Sequence, residues 1–464
     1  MAKKTIDMCQ GPIAVPMLRF ATPIFFTALL QRGFQAADMI LAGRLGTSGS
    51  DAVAAVGATT ALTALLINFF IGCSTGSAVT VAHALGKQDL SSVKKAVHSA
   101  MLLSCVMGLL LTAVGLLSTR WLLLAISTPE EIIELSASYL RIYFCGMLPC
   151  MVYNFGAAII RTMGDSQKPL FFLLVSGPIK LVLTVVFVSG LNMDVAGLAL
   201  ATTLSQTVSA VLVCISMFRR KDAGKLELKA LKFSREPIKR ILRLGIPSGI
   251  QTAIFSLSNV FIQASVNSLS HLSGFMAGNA AACNIEGFGE ITTSTFYQVA
   301  LNFTGRNVGA GQYDRVKKVY GRTCLLCTLA ICILSPLVLL FGRQLLGLYI
   351  VDSAEAIRWG MVRLTFIFVP LVFQGFMDAT SGVLRGMGIS LSGAIICLAG
   401  VCGIRILWLL TVFRLPQYHS PQALYIIYPI TWAITFGGLF VLFFFAFRKK
   451  VRQLAVSSPL PESK

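Results

Sequence analysis

Apolar windows about twenty residues long follow one another from Met17 to Phe447, with only short polar breaks between them. A helix needs roughly 20 such residues to cross a hydrocarbon core of about 30 Å. The windows predict twelve membrane-spanning helices, at 17–42, 53–82, 93–118, 132–160, 169–190, 194–217, 238–268, 276–303, 317–341, 356–383, 391–413 and 422–447. The opening Met-Ala-Lys-Lys-Thr-Ile-Asp-Met is polar, and no small-residue cleavage pattern follows the first window, so the first span reads as retained and not as a signal peptide.

Composition agrees with this pattern. Of 464 residues 55% are hydrophobic and only 12% charged, with a mean hydropathy of +0.77, well above that of a water-soluble domain. The predicted class is an all-α membrane protein, and no stretch is left for a soluble domain of ordinary size. Of the twelve cysteines, Cys105, Cys214, Cys324, Cys327, Cys332, Cys397 and Cys402 lie inside apolar windows, where a thiol behaves as a small hydrophobe. The four histidines, His83, His98, His271 and His419, are scattered without ligand spacing. No disulfide, metal or cofactor is therefore expected.

The net charge of +20 would suit nucleic acid, but its distribution says otherwise. Lys and Arg gather in alternate loops: Lys3 and Lys4; Lys87, Lys94 and Lys95; Arg161 and Lys168; Arg219 through Arg243; Arg306, Arg315, Lys317 and Lys318; Arg385; and Arg448 through Arg452. Asp51, Glu130, Glu131, Glu134, Asp194, Asp352 and Glu355 fall mostly in the opposite set. The positive-inside rule places both termini and the central loop in the cytoplasm, which suits an even number of spans. Orientation and anionic lipid account for the basic excess. The partners expected are membrane lipids and a small-molecule substrate, with no nucleic acid, for a monomer in the bacterial cytoplasmic (inner) membrane.

The chain also repeats itself. Arg19-Phe-Ala-Thr-Pro23 returns as Arg243-Leu-Gly-Ile-Pro247, Val93-Lys-Lys95 as Val316-Lys-Lys318, and Ile160-Arg-Thr-Met-Gly164 as Leu384-Arg-Gly-Met-Gly388. The offset stays at 223 or 224. Six spans per half give two parallel lobes, the plan of alternating-access transporters with a site near the midplane. The domains read as an N-terminal lobe at 1–217, a basic, solvated cytoplasmic linker at 218–237, a C-terminal lobe at 238–447 and a cytoplasmic tail at 448–464.

Several motifs carry a family resemblance: Leu29-Leu-Gln-Arg-Gly-Phe-Gln-Ala-Ala-Asp38, Ala42-Gly-Arg-Leu-Gly46, Ala54-Ala-Val-Gly57, Gly305-Arg-Asn-Val-Gly309-Ala-Gly311 and Gly382-Val-Leu-Arg-Gly386. Their order and spacing resemble the multidrug and toxic compound extrusion (MATE) family, above all the bacterial branch that opens with Gly-Pro-Ile, here Gly11-Pro-Ile13. The resemblance implies a V-shaped pair of six-helix lobes that exports organic cations against inward movement of H⁺ or Na⁺.

A charge at the bilayer centre costs about 2.5–3.5 kcal/mol on insertion scales, so each charge within a span is a functional candidate. Gln31, Gln35 and Asp38 stand at i, i+4 and i+7, on one helix face. Asp38 is either a carboxylate that binds ion and substrate alternately or one locked to a neighbouring helix. Where one family arrangement carries Asn and Asp on the fifth helix, this chain has Lys180 and Thr184. An ammonium there competes with Na⁺, so H⁺ is the favoured coupling ion. Two readings stand for Lys180: it neutralises Asp38 in one conformation only, or it snorkels or stays permanently paired.

The second half offers Glu286 and Glu290 on the eighth span, Asp378 on the tenth and Arg405 on the eleventh, and the repeat maps Asp378 onto Asn154. Gln31, Gln35, Asn154, Glu286 and Asp378 are the substrate-binding candidates. Arg405 is the candidate charge partner of the acids. Phe34, Met39, Phe288, Phe296, Tyr297 and Met377 either line a pocket or pack. Pro23, Pro149, Pro178, Pro247 and Pro370 lie inside spans, where they permit kinks.

No Gly-x-x-x-x-Gly-Lys-Ser/Thr phosphate loop occurs, so an ion gradient and not ATP is expected to supply the energy. No catalytic constellation stands out, so the chain reads as a transporter and not an enzyme. The competing transport reading is a lipid-linked oligosaccharide flippase of the same superfamily plan, kept open by Arg32, Lys180 and Arg405. The interior acids do not favour it.

Overall fold

The computed structural model describes residues 6–45, 49–126, 128–350 and 353–457, which contain helices and no strand. Asp352 and the side chains of Met39 and Asp51 lie outside the described residues. All twelve predicted spans are helical: α1 (Ala14–Leu45), α2 (Gly49–Gly86), α3 (Leu90–Ala125), α4a and α4b (Glu130–Cys145, Met147–Thr162), α5 (Gln167–Val185) and α6 (Asp194–Phe218) in the first half. The second half holds α7 (Arg235–Asn267), α8 (Phe275–Gly309), α9 (Tyr313–Leu340), α10a and α10b (Ala354–Phe368, Leu371–Gly386), α11a and α11b (Ser390–Cys397, Ile404–Leu410) and α12 (Ile427–Ser457).

Eight of these spans are long and apolar enough to cross a membrane singly, and ten are if each bent pair is one span. The other two, α7 and α8, run for 33 and 35 residues but carry more polar side chains. The bends have local causes. The two parts of α4 meet at 46° and those of α10 at 45°. Pro149 lacks the N–H that would bond back to Cys145, and Pro370 sits at the break in α10. Short π-helical segments, Val186–Gly190 after α5 and Leu398–Gly403 inside α11, alter the helical phase within the fifth span of each half.

The chain clusters into two compact units. The first runs from Leu18 to Ser256 and takes in the described residues before Met8; the second joins Met8–Met17 to the chain from Leu257 onward. The first half of α7 belongs with the first unit because glycines let it press against α2. A Cβ on Gly76 would sit 2.2 Å from the Ile241 carbonyl oxygen, one on Gly245 2.5 Å from that of Cys73, and one on Gly249 2.4 Å from that of Phe69. Backbones that close require small residues, as in other helix pairs that pack in lipid. Farther along the same pair, Arg240 hydrogen-bonds the His83 ring. Gly76→Val is therefore expected to destabilise the protein by about 1–3 kcal/mol. Melting of the purified protein should show it, while Gly437→Ala, with nothing within 4 Å of its Cβ, should melt as wild type.

The segment 218–237 is strapped to the start of α3 and is not a loose linker. Lys94 pairs with Glu227 at 2.6 Å, the Glu227 N–H donates to His98 Nε2 at 3.0 Å, and the Ser234 N–H donates to Ser99 Oγ at 3.2 Å. The Lys94 ammonium beside it holds the Glu227 carboxyl below its ordinary range.

In the second unit, Asn307 donates to the Met8 carbonyl at 2.9 Å, and Arg315 donates to the carbonyls of Gln10 and Gly11 at 3.0 Å each. Gly11 has φ +70°, a left-handed turn that glycine adopts at no steric cost. The Gly-Pro-Ile element is thus held at Gly11 by Arg315 of α9, and the residues just before it by Asn307 near the end of α8.

Candidate functional site

In the first unit, α1 presents Gln31 and Gln35 as exposed side chains and Asp38 as a half-buried one. Phe34 lies between them in sequence and is pressed onto α5, where a Cβ on Gly177 would fall inside its ring. That contact brings Lys180, one turn beyond Gly177, to Asp38. The Lys180 ammonium donates to Asp38 Oδ2, and the two side chains are only 12% and 16% exposed. The other carboxylate oxygen, Oδ1, is buried and accepts no hydrogen bond among the described residues, and neither does the Thr184 hydroxyl one turn past Lys180. Tyr139 and Tyr143 of α4a stack with ring centroids 5.8 Å apart and interact electrostatically with Asp38.

Asn154 is not brought to this group. It lies about four turns along α4 from Tyr139, and its amide donates to the Cys150 carbonyl at 2.8 Å.

The second unit holds a different constellation. α8 crosses α10a where a Cβ on Gly278 would sit 2.1 Å from the Ala356 carbonyl oxygen and 2.9 Å from Gly360 N. This crossing sets Arg363, one turn after Gly360, against α8. Arg363 gives Glu286 Oε2 two hydrogen bonds, from Nε at 3.0 Å and Nη2 at 2.6 Å, and gives Asn279 Oδ1 a third from Nη1 at 2.8 Å. The Tyr425 hydroxyl also donates to Asn279 Oδ1, at 2.8 Å. The guanidinium lies 5.3 Å from the Tyr425 ring centroid and 5.6 Å from that of Tyr428.

Arg405 is therefore not the partner that neutralises Glu286. Its guanidinium stacks on Tyr428 at 4.3 Å, and Nη2 reaches only Thr431 Oγ1, at 3.5 Å. Arg363 meets the same sequence criterion, a charge inside the tenth predicted span, and is absent from the candidates above. Nothing linear tied it to Glu286, because the helix crossing at Gly278 and Gly360 makes the pair.

Asp378 stands apart from Glu286. Thr293, two turns along α8, gives its hydroxyl proton to the Glu290 carbonyl at 3.2 Å, and Glu290 is the acid that Asp378 meets electrostatically. No basic side chain lies within ion-pair distance of Asp378 among the described residues. Arg385, two turns on, donates to the Tyr297 hydroxyl at 2.6 Å. Of the aromatic and Met candidates, Phe296 and Met377 are buried in packing and Phe288 is exposed.

The comparisons with known proteins follow this geometry. The sequence model of the family described as MatE matches residues 23–186 and again 247–410, each match covering one half of the repeat. The chain belongs to the MatE family. This MatE chain is 26% identical over 443 residues to the probable multidrug resistance protein YoeA of Bacillus subtilis (strain 168), covering 94% of both proteins. It is 21% identical to the multidrug export protein MepA of Staphylococcus aureus (strain NCTC 8325 / PS 47), covering 83% of this chain and 86% of that one. A crystal structure of MATE in complex with MaL6 superposes with a TM-score of 0.86 at 21% identity, over 97% of this MatE chain and 99% of that one. The likeness establishes the twelve-helix, two-lobe fold.

Proposed function

We propose that this chain is an ion-coupled antiporter that exports organic cations or drugs by alternating access, with H⁺ rather than Na⁺ as the coupling ion. The observation that carries the proposal is the half-buried Asp38–Lys180 pair, in which one carboxylate oxygen is left without a hydrogen bond. A carboxylate in that state has room for a proton or a cation, and the ammonium beside it occupies the electrostatic place that Na⁺ would need. Protonation of Asp38 releases Lys180, and a cationic substrate that meets Asp38 competes with both. Gln31 and Gln35, exposed on the same helix, supply polar contacts for the substrate, and Asn154, Glu286 and Asp378 supply others. The printed names of YoeA and MepA support drug export. The membrane is the bacterial inner membrane, with both termini in the cytoplasm.

Exchange of one H⁺ for a monovalent cation moves no net charge. It draws on the pH difference alone, about 1.4 kcal/mol per unit, which sustains roughly a tenfold substrate gradient. The test is efflux of ethidium from liposomes containing the purified protein, under an imposed pH gradient or an imposed Na⁺ gradient. A pH gradient is expected to drive efflux and a Na⁺ gradient is not. Absence of gradient-driven movement of any organic cation, by protein shown to be folded, would overturn the antiporter and favour the flippase.

A further inference from the structure

We infer that the second unit contains an oxyanion-binding site built on Arg405, which takes a carboxylate or phosphate group. The inference does not depend on ion coupling. It rests on a charge that the described residues leave without a counter-ion. Arg405 is 5% exposed, and its Nε is buried with no hydrogen-bond partner. Its Nη2 has one acceptor, the Thr431 hydroxyl, at the outer limit of hydrogen bonding at 3.5 Å. Thr431 already spends its own proton on the carbonyls of Ile427 and Tyr428.

No carboxylate among the described residues lies within ion-pair distance of Arg405. The nearest candidate by electrostatics, Glu286, is held at 2.6 Å by Arg363. The Arg363–Glu286–Arg405 group therefore has two guanidiniums and one carboxylate. A buried guanidinium without a counter-charge is costly in a membrane, so the arrangement calls for an anion in the working protein.

The geometry suits an oxyanion better than a halide or a π system. Tyr428 covers one face of Arg405, at 4.3 Å, and the Nε–H in the plane of the guanidinium has no acceptor among the described residues. The planar fork of an arginine matches the two oxygens of a carboxylate or a phosphate. The π-helical segment Leu398–Gly403 ends two residues before Arg405 and changes the direction in which this side chain leaves α11b. Two sources offer the ligand chemistry, an acidic group on a soluble molecule and the headgroup of an anionic lipid.

Trp432, on the same helix as Tyr428 with ring centroids 5.8 Å apart, gives an optical reporter. The experiment titrates purified wild type, Arg405→Gln and Arg405→Lys with sodium benzoate and follows tryptophan fluorescence. Benzyltrimethylammonium serves as the size-matched cation. The titration is run in nanodiscs of phosphatidylcholine alone and of phosphatidylcholine with one quarter phosphatidylglycerol. Saturable binding of benzoate is expected for wild type in phosphatidylcholine, weakened about 10- to 100-fold in Arg405→Gln and recovered in part by Arg405→Lys.

An equal response with and without phosphatidylglycerol assigns the site to a soluble acid, and loss of the response with phosphatidylglycerol assigns it to the lipid headgroup. No saturable response of wild type in phosphatidylcholine overturns the inference. So does an Arg405→Gln protein, monodisperse by size exclusion, that binds benzoate as tightly as wild type. Because this readout is equilibrium binding, failure of pH-driven ethidium efflux leaves it intact, and the reverse also holds.

Discussion

Asp38→Asn is expected to bring pH-driven ethidium efflux down to the level of protein-free liposomes, a fall of about 100-fold or more. Asparagine keeps the shape of the side chain and loses the site for the proton. Loss of transport alone would not separate coupling from structure, because the substitution also leaves Lys180 as a cation only 12% exposed with no carboxylate beside it. Removing one partner of a buried pair costs about 3–5 kcal/mol, whereas replacing both is often neutral. Combining Asp38→Asn with Lys180→Met should therefore restore the melting temperature toward wild type while transport stays at background. If the double variant regains pH-driven efflux, Asp38 is a structural anchor and the coupling carboxylate lies elsewhere. Asp38→Glu, which keeps the titratable group, should retain part of the rate.

A second large effect, on stability alone, is expected at Arg363. Arg363→Met strips Glu286 of its two donors and Asn279 Oδ1 of one, in a place where water is scarce. The Glu286 side chain is 23% exposed, which allows partial solvation and sets the expected loss near the low end of the range for a broken buried pair, about 3 kcal/mol. Thermal denaturation of the detergent-purified protein reads it. Adding Glu286→Gln to Arg363→Met should recover most of the loss, and with the Glu286→Gln single variant measured as well the cycle gives the coupling energy of the pair. Equal melting of Arg363→Met and wild type would show that the guanidinium carries no structural load.

The architecture was legible because the bilayer imposes one length on every span and the windows keep to it. Even α7 and α8, too polar to pass a simple apolarity test, stand out between the basic stretches at 219–243 and 306–318. The repeated Arg-x-x-x-Pro and Arg-x-Met-Gly elements marked two halves, and the two family matches begin at residues 23 and 247, with the spacing those elements have.

Pairing of charges was not legible to the same degree. It depends on how each helix is rotated, and rotation is decided where helices touch. Phe34 against Gly177 turns Asp38 toward Lys180, and Gly278 against Gly360 turns Glu286 toward Arg363. Neither contact leaves a mark in hydrophobic periodicity. The π-helical segments in α11 and after α5 add a shift in phase that no residue spacing announces. Arg405 was therefore set against the acids by charge alone, while its actual neighbour is the ring of Tyr428.

The clasp on the N-terminal segment sets a condition on synthesis. The Met8 carbonyl is made 299 residues ahead of its hydrogen-bond donor, Asn307. At about 5–20 residues per second, that partner emerges roughly 15–60 s later. Arg315, which holds Gln10 and Gly11, comes later still. The stretch 8–11 therefore waits for these donors while seven membrane spans and most of an eighth are inserted. It is among the last pieces of the molecule to be fastened, although it is made well before its partners.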